Sequence, residues 1–177
     1  RRHTRYISVT GVQTCALPIL PIASLTKLIT VLVVLDAAPL QPGEAGPSFT
    51  LSASDVDAYQ RERATGGQAL PVIDGEVLSQ RDLIELVLIA SSNNHATSLA
   101  RHVFGDDARF LEVARSWVSA HGLTTVTLAD ATGMSPDDRA SVVDLLEIAR
   151  LADASPLIRQ VAAQQRSEEH TSELQSH

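Results

Sequence analysis

The feature that most constrains this chain is an apolar run, Leu28 to Leu35, entered by the tetrapeptide Ser24-Leu25-Thr26-Lys27. Residues three apart on a helix share a face, with Cβ atoms about 5–6 Å apart, so a helix here places the Lys27 amine beside the Ser24 hydroxyl. A serine needs a base to take its proton, and burial lowers the pKa of a lysine from about 10.4 towards neutrality. The spacing predicts a buried helix that begins with a nucleophile and its base. The alternative is that Ser24 only caps the helix and Lys27 is solvated.

A second polar cluster, Ser91-Ser92-Asn93-Asn94, lies between two apolar segments. Such a cluster commonly marks one helix end and the next helix start. Alternatively, Ser91 and Asn93 point into a cleft beside Ser24, where a hydroxyl relays a proton and an amide holds a substrate carbonyl; Ser92 and Asn94 fit the same Ser-x-Asn pattern. Ser-x-x-Lys, Ser-x-Asn and Lys-Thr-Gly together are the motif set of penicillin-binding proteins and class A β-lactamases. The third motif, as Lys-Thr-Gly or His-Thr-Gly, does not occur in this sequence.

Longer stretches resemble the serine-type D-alanyl-D-alanine carboxypeptidases, which are low-molecular-weight penicillin-binding proteins of the peptidase S11 type. The resemblance covers most of residues 20–165, in the order of the family, and is carried by segments 21–30, 75–84, 91–100 and 130–136. It implies an α+β fragment of the β-lactamase/penicillin-binding transpeptidase-like fold. The fragment would be mainly the helical lobe, with most of the sheet missing. Segment 130–133, Asp-Ala-Thr-Gly, is interpreted as structural scaffolding.

The resemblance also implies roles for individual residues. Ser24 would attack the carbonyl of the penultimate D-alanine in a peptidoglycan stem peptide ending in D-Ala-D-Ala, and Lys27 would accept its proton. Ser91 would relay that proton to the leaving D-alanine, and Asn93 would hold the substrate backbone. The Ser24 backbone N–H, at a helix N-terminus, would be one oxyanion donor. Water would then hydrolyse the acyl-enzyme.

Further expectations follow from the same resemblance. β-Lactams should trap Ser24, and the parent enzyme should act outside the cytoplasm, with its association with the membrane left open. Without the third motif, the chain by itself is expected to be inactive. Whether the parent is a carboxypeptidase, an endopeptidase or a transpeptidase stays open. A class A β-lactamase would need Glu-x-x-x-Asn, which is absent. A non-enzymatic helical binding module is the remaining alternative.

The two ends of the chain are expected to be foreign. Residues 10–19 back-translate to a nucleotide string whose reverse complement encodes Ser167 to Gln175, the pattern of a sequencing adapter translated at both ends of an insert. We therefore interpret 1–19 and 166–177 as non-native tails and 20–165 as a partial catalytic domain. The signal-like Ala16-Leu17-Pro18-Ile19 then belongs to the first tail, so any true secretory signal would lie upstream.

Composition excludes several classes of function. Residues 20–165 hold 10 basic and 18 acidic side chains, a net charge of −8, which argues against a nucleic-acid partner. The single cysteine, Cys15, lies in the first tail, so the insert has no disulfide or thiol chemistry, and the histidines lack metal-ligand spacing. No metal and no other cofactor is expected. The apolar run is far shorter than the roughly 20 residues that span a bilayer.

The pattern predicts a mainly helical chain. The expected helices cover 24–37, 79–90, 93–104, 107–121 and 142–152, with a short helix after Ser155. Segment 46–67 reads as mixed and polar, with weak alternation at 49–51. Asp74-Gly75 predicts a hairpin between 70–73 and 76–78. A short strand is expected at 126–128.

Overall fold

The computed structural model describes residues 18–164. The interpretation of the two ends as non-native falls almost entirely outside these residues. Of the first tail, Pro18 and Ile19 are described; Ile19 lies in a strand opposite Ser141, with 47% of its surface exposed.

Helices dominate the described residues. They are α1 Thr26–Ala37, α2 Ala53–Ala64, α3 Gln80–Leu88, α4 Asn93–Phe104, α5 Asp107–Ala120 and α6 Val142–Ala154, and one more helix runs from 156 to 164. The strands, β1 Ile19–Pro21, β2 Ser48–Thr50, β3 Val77–Ser79 and β4 Arg139–Ser141, pair as β1 with β4 and β2 with β3, both antiparallel.

Helix α1 is the centre of the domain because it is apolar on nearly every side. A helix that is apolar all round must be buried all round, and α1 packs against α3, α4, α5 and α6. Ile29, Val31, Val33 and Val34 are at most 1% exposed. This burial fixes the helix whose first turn carries Lys27.

Two helix starts form as their sequences predict. The Ser79 side chain accepts the Asp82 N–H at the start of α3, and the Ser141 side chain accepts the Asp144 N–H at the start of α6. A serine at the cap satisfies one of the free N–H groups of the first turn. Helix α4 begins at Asn93 and ends at Phe104 before Gly105, as expected.

Two expectations about secondary structure are wrong, and one helix was not expected. Segment 53–64 is a helix, α2, whose start is marked by Ser52 and Asp55: the Asp55 carboxylate accepts the Ser52 N–H at 2.8 Å. Asp74-Gly75 forms a turn, but the strand that follows it, β3, pairs with β2 and not with 70–73. At 126–128 there is only an isolated bridge from Thr127 to Arg139, on the edge of β4 that β1 leaves open.

Within the described residues no helix is both long and apolar enough to span a bilayer.

Candidate active site

Ser24 lies exposed in a single 3-10 turn, Ala23–Leu25, immediately before α1. The turn is closed by the Leu25 N–H, which donates to the Ile22 carbonyl at 3.1 Å. Ala23 has a φ of +46°, in the left-handed region that non-glycine residues rarely occupy. Backbone strain of this kind often accompanies functional sites. Here it presents the Ser24 hydroxyl to solvent at the N-terminal end of a buried helix.

Lys27 is buried beneath this turn. Its side chain is 2% exposed, and its amine donates to Ser24 Oγ at 3.1 Å and to the Thr132 carbonyl at 2.8 Å. When the amine is neutral, the N–H given to Thr132 leaves the nitrogen lone pair available to accept the Ser24 proton. The geometry therefore has the two contacts that a serine nucleophile and an oriented base require.

Burial lowers the pKa of the Lys27 ammonium because a charge in a poorly solvated site is unfavourable. The negative charges of Asp130 and Glu62 act in the opposite direction and raise that pKa. Burial has the larger effect, so the balance favours the neutral amine more than water does.

The loop 130–135, which we call the Asp130 loop, is held together by one carboxylate. Asp130 accepts backbone N–H groups from Thr132 and Gly133 at 2.6 Å and from Ser135 at 2.8 Å. Burial opposes the ionisation of Asp130, but these donors outweigh it and hold the pKa of the carboxyl below its usual value. The loop is thus a fixed backbone acceptor for Lys27.

The same loop packs directly against the turn that carries the nucleophile. Gly133 has a φ of +84°, and a Cβ at this position would overlap the Ala23 carbonyl. Next to it, the Thr30 hydroxyl of α1 donates to the Ala131 carbonyl at 2.8 Å. Two successive loop carbonyls, of Ala131 and Thr132, are therefore anchored by two side chains of α1.

Ser91 shares a cavity with Ser24 and Lys27. The cavity measures about 470 Å³, and Leu28, Val87 and Leu88 form part of its wall. Ser91 lies in the turn between α3 and α4 with a φ of +53°, a second non-glycine residue in the left-handed region. The structure thus brings Ser24, Lys27 and Ser91 into one cleft.

Asn93 lies beside this cleft but does not line the cavity. It is 2% exposed, and its Nδ2 donates to Glu62 Oε2 at 2.8 Å. A Cβ on Gly67 would overlap Glu62 Oε2 and Asn93 Nδ2, so a side chain at position 67 would displace this pair. Since Glu62 also acts on the Lys27 charge, the Asn93–Glu62 pair is electrostatically part of the site.

Ser92 and Asn94 are committed to internal hydrogen bonds. Ser92 Oγ donates to Asn94 Oδ1 at 2.8 Å and lies 2.7 Å from His95 Nδ1, and Asn94 bonds both the N–H and the carbonyl of Leu70. Ser92 is fully buried and His95 is 2% exposed, so this serine–histidine pair is closed to substrate. A larger cavity of about 540 Å³, lined in part by His95, contains none of Ser24, Lys27 and Ser91.

The residue that sequence reasoning missed is Thr132, whose carbonyl accepts from Lys27. Its segment was interpreted as scaffolding, and the only available signal was the short polar pattern of Asp130 and Thr132, which is typical of a side chain bonding its own backbone. Glu62 was missed because the helix that carries it was not predicted. Among residues 18–164 no group of three or more His, Cys, Asp or Glu side chains is placed to hold a metal ion.

A helical domain with a Ser-x-x-Lys pair at the start of its buried helix has the first-motif arrangement of the penicillin-binding proteins and class A β-lactamases. A family model described as peptidase S11, D-alanyl-D-alanine carboxypeptidase, matches residues 17–175. The chain belongs to this family.

Individual relatives agree with the family match. A D-alanyl-D-alanine endopeptidase of Escherichia coli is 29% identical over 143 residues, which is 80% of this chain and 43% of the relative. A crystal structure of a Mycobacterium tuberculosis D-alanyl-D-alanine carboxypeptidase superimposes with a TM-score of 0.69 at 22% identity, over 82% of this chain and 51% of that one. A crystal structure of penicillin binding protein 6B from Escherichia coli superimposes with a TM-score of 0.70 at 22% identity, over 82% of this chain and 46% of that one.

These structural similarities confirm the expected penicillin-binding fold, with the described residues forming mainly its helical part. The chain spans less than half the length of the curated relative.

Proposed function

We propose that this chain carries the nucleophile of a serine-type D-alanyl-D-alanine carboxypeptidase that works through an acyl-enzyme. The observation that carries the proposal is the buried Lys27 amine, held between Ser24 Oγ and the Thr132 carbonyl. No other serine of the described residues combines exposure with a hydrogen bond to a buried amine. Family membership supplies the substrate class, a peptidoglycan stem peptide ending in D-Ala-D-Ala.

In the proposed reaction, Lys27 Nζ removes the Ser24 proton as Oγ bonds to the carbonyl carbon of the penultimate D-alanine. The C–N bond to the terminal D-alanine then breaks, and the proton leaves with its amine, with Ser91 as the relay from the shared cavity. The Ser24 N–H is proposed as one oxyanion donor. Water attacks the ester, and Ser24 is regenerated. β-Lactams acylate the same oxygen, and the site works outside the cytoplasm.

The test is to locate the acyl group. The full-length enzyme containing this chain is incubated with a fluorescent penicillin, digested and mapped by mass spectrometry. We expect one adduct, on the peptide containing Ser24. Ser119→Ala, which removes an exposed serine of α5, serves as the control and should label normally. Labelling of Ser24→Ala at the rate of the unsubstituted enzyme would reject the proposal.

The same preparation distinguishes among the possible activities. Because one matched relative is named an endopeptidase, the preparation is offered both a linear peptide ending in D-Ala-D-Ala and a cross-linked dimer of such peptides. Release of free D-alanine supports the carboxypeptidase, and cleavage of the dimer alone would replace it by an endopeptidase. Rapid loss of the penicillin adduct by hydrolysis would instead indicate a β-lactamase.

A matched pair of substitutions tests which serine of the second motif acts in the reaction. Ser91→Ala should lower the acylation rate by roughly 10²-fold or more with little change in stability, because it removes a proton relay from the cavity. Ser92→Ala should cost about 1–3 kcal/mol of stability, because it removes the buried hydrogen bonds of Ser92 Oγ with Asn94 Oδ1 and His95 Nδ1. Acylation rates and urea unfolding midpoints are measured for both. The opposite distribution of effects would assign the motif to Ser92 and Asn94.

A further inference from the structure

Asp138 is a buried carboxyl group that the proposed reaction does not use. It is fully buried at the end of the segment that begins with the Asp130 loop. Its Oδ1 accepts the Ala129 N–H at 2.7 Å and the Asp130 N–H at 3.3 Å. Its Oδ2 is also buried and has no hydrogen-bond partner among the described residues. Buried polar atoms are normally paired, so an unpaired carboxyl oxygen requires an explanation.

The backbone of the same residue contacts the nucleophile turn. The Asp138 carbonyl accepts the Ile22 N–H at 2.9 Å, and Ile22 is the residue whose own carbonyl closes the turn of Ser24. Asp138 therefore contacts both parts of the site. Its carbonyl holds the chain that leads into Ser24, and its carboxyl holds the chain that leads into the Asp130 loop.

A short series of contacts connects the Asp138 carboxyl to Lys27. Oδ1 fixes the backbone of Asp130, the Asp130 carboxylate fixes the N–H of Thr132, and the Thr132 carbonyl accepts from Lys27 Nζ. Each contact joins a charged or strongly polar group to a backbone N–H or carbonyl of this segment. The series is a continuous path of hydrogen bonds from the Asp138 carboxyl to the carbonyl that orients the Lys27 amine.

We propose that Asp138 is a positioning residue for the Ser24–Lys27 pair, and that its protonation controls how the Asp130 loop presents the Thr132 carbonyl to Lys27. The proposal rests on the proposed function for its catalytic consequence. Its structural content, the link between Asp138 and Lys27, stands on the contacts alone.

Burial raises the pKa of the Asp138 carboxyl to about 6; the Ala129 N–H lowers it, and the negative charge of Asp130 raises it again. The other charged groups that contact this segment are Lys27, through Thr132, and two arginines. The Arg115 guanidinium donates to the Leu128 carbonyl at 2.9 Å, and the Arg139 guanidinium donates to the Pro136 carbonyl at 3.0 Å. Near pH 5 the neutral acid does not repel Asp130. Above pH 6 both Asp138 and Asp130 are carboxylates, and their mutual repulsion acts on the loop that joins them.

The test uses a property of this chain: Lys27 is its only lysine. The 177-residue chain labelled with [13Cε]-lysine gives one lysine resonance, which is followed from pH 4 to pH 9. We expect an inflection near pH 6, where the Asp138 carboxyl loses its proton. Asp138→Asn should abolish that inflection, and Asp137→Asn, which removes the exposed neighbouring carboxyl, should retain it. An inflection that survives in Asp138→Asn, or none in the unsubstituted chain, overturns the proposal.

Two further readouts separate positioning from mere stability. An acid whose pKa rises from 3.8 to about 6 on folding binds its proton more tightly in the folded state, so stability falls as pH rises through this interval. Asp138→Asn should remove that fall. In the full-length enzyme, the penicillin acylation rate should show a step near pH 6 that Asp138→Asn also removes. If acylation is absent altogether, the proposed function fails while the lysine resonance still tests the link.

Discussion

Replacing Gly133 by alanine is expected to dismantle the site. The residue has a φ of +84°, which costs a Cβ-bearing residue roughly 1–2 kcal/mol. Its added methyl group would also overlap the Ala23 carbonyl, so either the nucleophile turn or the Asp130 loop must move. Together these effects should lower the free energy of unfolding by about 4 kcal/mol or more, which is exceptional for one methyl group. Urea unfolding measures the loss.

Gly75 provides a matched control. It has the same φ of +84°, but a Cβ there would meet no atom within 4 Å. Gly75→Ala therefore carries the backbone strain without the overlap and should cost only about 1–2 kcal/mol. In Gly133→Ala the lysine resonance should also move towards the position of a solvated lysine, because the Thr132 carbonyl is displaced. Equal losses in the two variants would show that the loop does not pack against the nucleophile turn as described.

Replacing Lys27 by methionine is expected to abolish useful acylation of the full-length enzyme. Methionine fills the same buried space but cannot accept the Ser24 proton, and a positioned general base contributes about 10²–10⁴-fold to rate. We expect the rate of labelling by a fluorescent penicillin to fall by roughly 10³-fold. Leaving the Thr132 carbonyl unpaired should cost about 1–3 kcal/mol of stability, so the fold survives.

Thr30→Val separates the role of Lys27 as a base from its role as an anchor. It removes the neighbouring bond between α1 and the Asp130 loop, from Thr30 to the Ala131 carbonyl, and leaves the amine in place. Its rate should stay within roughly tenfold of the original while its stability falls by about 1 kcal/mol. If the Lys27→Met and Thr30→Val variants acylated equally fast, Lys27 would be an anchor and another group would be the base.

Local signals in the sequence were enough to predict most of the helices. The caps at Ser79 and Ser141 and the stop at Gly105 depend on neighbours within four residues, and the structure confirms them. Helix α2 has the same kind of start at Ser52, but few apolar residues mark its inner face, with Asp55 and Ala58 its only buried positions. Apolar periodicity was therefore too weak to reveal it.

Strand pairing could not be predicted in the same way. The turn at Asp74-Gly75 is local and forms, but the partner of β3 is β2, nearly thirty residues earlier. A pattern of alternating residues describes a strand without specifying which other strand it meets. The competing segment 70–73 is instead tied to α4, through the hydrogen bonds between Leu70 and Asn94.

The site divides along the same boundary. The contact between Ser24 and Lys27 follows from helical spacing, and the sequence predicts it. The contact between Lys27 and Thr132 joins residues 105 apart, and it involves a backbone carbonyl that any residue type could supply. Only the folded chain reveals it, and with it the reason that Lys27 is buried.

That long separation has a consequence for when the serine becomes reactive. Contacts between distant residues form late in folding because a long loop must close first. Until the segment around residues 130–138 docks on α1, Lys27 is in water, where its ammonium keeps a pKa near 10.4 and cannot act as a base. A growing or locally unfolded chain therefore contains the proposed nucleophile in an inert form. Under the proposed function, capture of a β-lactam by Ser24 would report completed tertiary structure as much as chemistry.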